Sequence, residues 1–249
     1  MIFTNTEPNS WLDLQNKVTL YLNEAGHKAV SPLTINTVRG SVEVDVYIEA
    51  PDELVKRIIC ECKYWKTPVS KEKVHAFRTV VADSGAALGI MISKEGFQKG
   101  AIDAAKLSNV ILLTWEQFTT LISRKWMREQ TKTLRKVQRA IYVYTSEMTV
   151  PYELISEEGK REYHKRSKPA GELWEAACDL RSYEWQPDKI ECISDRMLQG
   201  FTALDEYIRY LIHEMTAYNR WFAAFFKKEG INFPDYKFEP IEQIFYRGL

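Results

Sequence analysis

The feature that most constrains this chain is an ordered alternation between Ile58 and Leu113. Ile58 to Tyr64 reads as a strand and Ser70 opens a helical pattern; Ala87 to Ser93 is a short apolar run. Phe97 to Leu107 is a small-residue helix through Ala101, Ala104 and Ala105, and Val110 to Leu113 is a second compact apolar run. A strand, helix, strand, helix, strand succession implies crossover connections, and so predicts an α/β sandwich around one mixed sheet.

The residues upstream extend this core. Val42, Val44, Val46 and Ile48 alternate with Glu43, Asp45, Tyr47 and Glu49, and after a turn-like Ala50-Pro51-Asp52 the pattern resumes at Ile58. Two adjacent antiparallel strands are the simplest account. Before them, Trp11, Leu14, Val18, Tyr21 and Leu22 recur at helical spacing, with Ser10 as a cap and Gly26 as a stop. In the later helix, Glu72 falls in the first turn, Val74, Phe77, Val80 and Val81 form the inner side, and Gly85 lies beyond the end.

After about residue 123 strand-like alternation disappears. Met197, Phe201, Leu204, Ile208, Leu211, Met215, Tyr218, Phe222 and Phe225 alternate steps of four and three, a heptad seam that Ser194 or Asp195 could cap. A weaker seam runs through Met127, Leu134, Val137, Ile141, Tyr144 and Met148, while Pro151 to Pro169 reads as a polar connection. The expected organisation is an α/β domain over 1–123 and a helical domain over 124–249. Its helices are expected to pack as a hairpin or bundle, or across a dimer axis.

With 249 residues and 45% apolar content the chain can bury a sizeable core. Lys plus Arg equals Asp plus Glu at 34 each, so net charge names no partner. The distribution says more. Lys56, Arg57, Lys63, Lys66, Lys71, Lys73 and Arg78 lie in a stretch whose only acids are Glu61 and Glu72, and a second run holds Arg124, Lys125, Arg128, Lys132, Arg135, Lys136 and Arg139. Cys60, Cys62, Cys178 and Cys192 show neither CxxC spacing nor the density of a disulfide scaffold, which favours reduced thiols. The N-terminus MIFTNTEPNS has no signal-peptide character and no apolar run is long enough to span a bilayer, so a cytoplasmic protein without membrane association is expected.

On a strand, residues two apart share a face, so Glu61 and Lys63 point one way and Cys60 and Cys62 the other. Asp45 on the neighbouring strand is expected within about 5 Å of Glu61. Two such carboxylates need a cation between them, and a hard oxygen site that retains waters suits Mg²⁺, with Mn²⁺ as a substitute. Lys63 beside it could orient or help deprotonate an attacking water, an arrangement suited to phosphodiester hydrolysis. The bland alternative is an exposed strand face with a surface ion pair. Lys66, Lys71, Lys73, Ser93 and Lys94 sit near strand and helix ends around this site and read as phosphate contacts of a DNA partner. Glu43 is expected to be a solvated strand residue, and Trp65, beside the lysines, could stack on an unpaired base. There is no GxxxxGK[ST] loop and no recognisable nucleophile turn.

Val42-Glu43-Val44-Asp45-Val46, Ile59-Cys60-Glu61-Cys62-Lys63-Tyr64-Trp65, Val74 to Phe77, and Gly89-Ile90-Met91-Ile92-Ser93 with Phe97 and Ala101 together resemble a known family. It is the PD-(D/E)xK nuclease superfamily, specifically the Mrr-type restriction endonuclease catalytic domain. The resemblance covers Trp11 to Phe118. It implies a restriction-endonuclease-like core, metal binding by Asp45 and Glu61, positioning of the nucleophile by Lys63, and a role in prokaryotic defence or DNA processing. Where many relatives carry an acid on the first helix this chain has Gln15, whose amide could hold a metal-bound water; one metal ion is then favoured over two. The competing reading is a nuclease fold kept as a DNA-binding or assembly module. In either case the helical half would bind a partner protein or a second copy.

Overall fold

The computed structural model describes residues 3–52, 55–181 and 200–233. They form two compact units, one over Thr6–Trp126 and the other over residues 3–5 and 127–233.

The first unit opens with α1 (Trp11–Glu24), whose N-terminus is closed by Ser10 Oγ accepting the Asp13 N–H at 3.1 Å and whose end is turned by Gly26 at φ 81°. Leu14, Val18, Tyr21 and Leu22 are buried as the spacing predicts, but Trp11 is 47% exposed. Five strands follow: β1 (Lys28–Val30), β2 (Leu33–Thr37), β3 (Gly40–Val44), β4 (Val46–Asp52) and β5 (Val55–Lys63). The run from Val42 to Ile48 is therefore two strands, not one. At Asp45 the chain changes sheet, since β3 pairs with β2 in a two-stranded sheet while β4 pairs antiparallel with β1 and β5. Alternation reports which face a residue occupies and is blind to which partner its backbone bonds. The expected turn at Ala50-Pro51-Asp52 is also strand, with the register shifting between Glu49 and Asp52, where proline contributes no ladder donor.

Beyond β5 come α2 (Lys71–Asp83), β6 (Leu88–Ser93), α3 (Lys99–Ala105) and β7 (Val110–Thr114). The sheet order β1-β4-β5-β6-β7 is mixed, with β5, β6 and β7 parallel through the two helical crossovers. Gly89 on β6 sets how closely α2 sits: a Cβ there would lie 2.4 Å from Val81 and 2.9 Å from Phe77. Val74, Phe77 and Val81 of α2 and Ala101 and Ala105 of α3 bury one apolar cluster with Ile59, Met91 and Val110. α1 packs on β1, β4 and β5. The N-terminal domain is thus an α/β core of a mixed sheet flanked by helices, and a helical region follows it.

α4 (Trp115–Thr145) starts in the first unit, where Trp115 meets Tyr21 edge-on at 5.8 Å, and runs on into the second. In the second unit Met127, Leu134, Val137, Ile141 and Tyr144 are buried, but Met148, the last member of the weaker seam, is 89% exposed because the helix has already ended. After a 3-10 turn at Tyr152–Leu154, α5 (Glu157–Arg181) runs through Pro169, so most of the expected polar connection is helix. Its buried stripe is thin, with Tyr163, Ala170 and Ala177 seven residues apart, which is why composition alone reads it as polar.

The start of α5 is closed from afar. Ser156 Oγ accepts the Gly159 N–H at 3.0 Å, and the Glu229 carboxylate accepts the Ser156 N–H at 2.9 Å across 73 residues. A Cβ at position 159 would lie 2.7 Å from that carboxylate, so a larger residue there would displace the end of the Glu229 side chain.

α6 (Leu204–Lys228) carries the stronger seam. Its Leu204, Ile208, Leu211, Met215, Phe222 and Phe225 are buried, as are Tyr207, Ile212 and Phe226, a broad face rather than a narrow stripe. Tyr144 of α4 stacks on Phe222 at 5.6 Å and Phe226 at 5.9 Å, and Tyr163 of α5 meets Phe222 at 5.8 Å. The seam is consumed inside the chain as a bundle. Met197 and the expected caps Ser194 and Asp195 lie outside the described residues; the helix described begins after Ala203. Among the described residues no helix is long and apolar enough to cross a membrane.

Candidate active site

Parallel pairing decides where the charged residues of β5 stand. In its register with β6, Ile59 lies beside Gly89, Glu61 beside Met91 and Lys63 beside Ser93. Gly89 underlies α2, so Ile59, Glu61 and Lys63 share the α2 face, with the two charged residues at the carboxyl end of the strand. The opposite residues, Cys60 and Cys62, are fully buried, and burial pushes the Cys60 thiol up to about 12.

Asp45 reaches the same place from the break between β3 and β4. It stands one residue before Val46, which pairs with Cys60, and so one step toward Glu61. Three groups fix it. Its carboxylate accepts the Cys62 N–H at 2.6 Å and is hydrogen-bonded by the Trp11 side chain, while Gln15 Nε2 donates to its backbone carbonyl at 2.8 Å. Burial is the main cause that raises the Asp45 carboxyl from 3.8 to about 6; the Cys62 N–H works against it, and the neighbouring Glu61 charge adds to it. Lys63 Nζ donates to Glu61 Oε1, with the two side chains 19% and 25% exposed.

This donor set fits a divalent cation. The Glu61 charge adds to the cost of ionising Asp45, and Gln15 Oε1 is a buried oxygen with no hydrogen-bond partner. No group of three or more His, Cys, Asp or Glu suited to a metal occurs among the described residues, so the cluster rests on two carboxylates and an amide.

The structure thus brings Asp45, Glu61, Lys63 and Gln15 together. Sequence reasoning missed Trp11, which helical spacing assigns to the core; its position at the first residue of α1, where a helix face has not yet closed on the sheet, was the available signal.

Around the cluster, Lys66, Lys71, Lys73 and Lys94 are exposed. Lys63 and Lys73 hold their ammonium groups 5.4 and 5.9 Å from the Trp65 ring, and Lys94 lies 5.0 Å from that of Tyr64 while pairing with Glu95 at 3.4 Å. Ser93 differs from the expectation. It is fully buried and donates to the Gly96 carbonyl at 3.0 Å, so its hydroxyl shapes the turn that carries Lys94 and does not face solvent. Glu43 is exposed, as expected of a solvated strand residue.

The cluster stands at the carboxyl end of β5, beside the parallel strand β6. Residues 7–122 match the family model of the Mrr catalytic domain, described as a restriction endonuclease. Among solved structures the chain is similar to the crystal structure of a protein of unknown function, AF1548, at 18% identity and a TM-score of 0.40, over 70% of this chain and 99% of that one. No curated protein matches it.

Proposed function

We propose that the N-terminal domain is a Mg²⁺-dependent DNA endonuclease with Asp45, Glu61, Lys63 and Gln15 as its catalytic cluster. The observation that carries this reading is the half-buried Asp45 carboxyl, raised to about 6 beside Glu61 at the carboxyl end of β5. Burial, with the neighbouring Glu61 charge adding to it, opposes ionisation of Asp45, and a bound cation would offset that cost.

Asp45 and Glu61 would hold the ion, with Mn²⁺ as a substitute for Mg²⁺. When bound, the ion neutralises charge that develops on the phosphate and lowers the pKa of an attacking water. The Cys62 N–H and the Trp11 side chain keep the Asp45 carboxylate in one orientation. Gln15, anchored through Nε2 on the Asp45 carbonyl, leaves its Oε1 to accept a hydrogen bond from a water. The Lys63 ammonium, which donates to Glu61 Oε1, would orient the water that attacks phosphorus. Lys66, Lys71, Lys73 and Lys94 would contact DNA phosphates.

The second reading, a DNA-binding or assembly module without cleavage, draws on Gln15 standing where relatives carry an acid. Incubating the protein with plasmid, single-stranded DNA and RNA under Mg²⁺, Mn²⁺ or chelator separates the two. Metal-dependent cleavage that Glu61→Gln abolishes supports the nuclease. Binding without cleavage in either metal supports the module. A place in prokaryotic defence or DNA processing is what the resemblance implies, and a cytoplasmic place is what the N-terminal sequence and its short apolar runs suggest. A partner or second copy of the chain would meet the outer surface of the helical unit, because its seam is closed internally.

A further inference from the structure

An isolated exposed aromatic is ordinary on any protein surface. Trp65 differs in what surrounds it. Glu61, Lys63 and Trp65 follow one another at every second position, so the indole stands just past the end of the strand that carries the acidic cluster. It is 37% exposed, with the Lys63 and Lys73 ammonium groups 5.4 and 5.9 Å from its ring. Both distances fall within the cation–π range, about 6 Å, and the ammonium groups lie over the ring. Tyr64 and Lys94 repeat the pairing one residue earlier.

The segment that bears the indole is held, not loose. The Lys94 N–H donates to the Lys63 carbonyl, the Val69 N–H to the Gly96 carbonyl and the Gln98 N–H to the Val69 carbonyl, each at 3.0 Å, and Val69 is buried. The loops after β5 and β6 are thereby stitched into one platform.

A fixed ring with cations over it matches a nucleotide, whose base can take their place on the π-face and whose phosphates can hold them a few ångströms away. In a regular duplex the base faces are already stacked and hidden, so such a platform has no use there. Resting on the nuclease reading above, we propose that Trp65 stacks on an unpaired base next to the cleavage site, and that the preferred substrate contains single-stranded or locally opened DNA.

The test is binding measured by fluorescence anisotropy in chelator, with three labelled probes: a thymidine oligomer, an abasic oligomer of the same length, and a blunt hairpin duplex. Wild type binds the thymidine oligomer more tightly than the other two. Trp65→Ala weakens that binding by about 5- to 100-fold, the range expected for loss of one stacked base. The abasic and duplex affinities stay within about 2-fold, since phosphate contacts carry them. Trp65→Phe, which keeps a π-face, recovers most of the loss. An equal loss on all three probes, or no loss on any, overturns the stacking role even where metal-dependent cleavage persists. A folded wild type that binds none of the probes and cuts no DNA overturns the nuclease reading, and the stacking role with it.

Discussion

Replacing Asp45 with asparagine should make the protein more stable and catalytically dead. The carboxyl titrates at about 6 in the fold against an ordinary 3.8. At face value that gap corresponds to about 3 kcal/mol of penalty on the charged form. Asp45 is only half-buried, and solvent screening reduces the figure to about 1–2 kcal/mol. The direction follows from proton linkage. Between 3.8 and about 6 the folded state binds a proton that the unfolded state has released, so the wild type loses stability as pH rises through that window. Above it the penalty is complete. Asparagine carries no charge and its side-chain carbonyl still accepts the Cys62 N–H. Calorimetry near neutral pH should therefore show the Asp45→Asn transition about 2–4 °C above wild type per kcal/mol gained, and the difference should vanish below about pH 4. Adding Mg²⁺ should raise the wild-type transition and leave the variant unmoved. A variant less stable than wild type at every pH would refute the idea that this carboxylate is held at a cost.

Glu61→Gln keeps the strand and removes a charge, so cleavage should fall by orders of magnitude while filter binding to DNA is unchanged or tighter. Lys66→Ala and Lys71→Ala should weaken binding to every DNA sequence alike and each lower the slope of log affinity against log salt by about 1, read from a salt titration. Gly159→Ala should displace the Glu229 carboxylate, 2.7 Å from the added Cβ, and speed amide hydrogen exchange at Ser156, whose N–H that carboxylate accepts. Leu211→Glu buries a charge in the bundle and should unfold it rather than dissociate an oligomer, as measured by circular dichroism and light scattering.

The strand β5 was legible because its chemistry and its geometry share one period: Glu61 and Lys63 two apart, with Cys60 and Cys62 turned inward, leave a single arrangement. The helix caps at Ser10 and Gly26 were legible for the same local reason. What escaped depended on partners distant in sequence. The break at Asp45 is invisible to alternation, since both halves of the run stay apolar on one side. β1 and β2 are three and five residues long and mix polar with apolar positions, too short to declare a period. Ser93 reads as a phosphate contact by its place at a strand end, but the turn to Gly96 takes its hydroxyl. Pro169 suggests an interruption that the packing of α5 overrides.

The contact that closes α5 also orders events in time. Ser156 waits for a carboxylate 73 residues further along the chain. At ordinary translation speeds of about 5–20 residues per second, several seconds separate the synthesis of the two. Until Glu229 arrives, α5 starts with an unanswered backbone donor and only Ser156 Oγ to hold its first turn. The last turn of α6 thus acts as a latch on a helix made long before it. A chain truncated ahead of Glu229 should leave the start of α5 open to rapid amide hydrogen exchange.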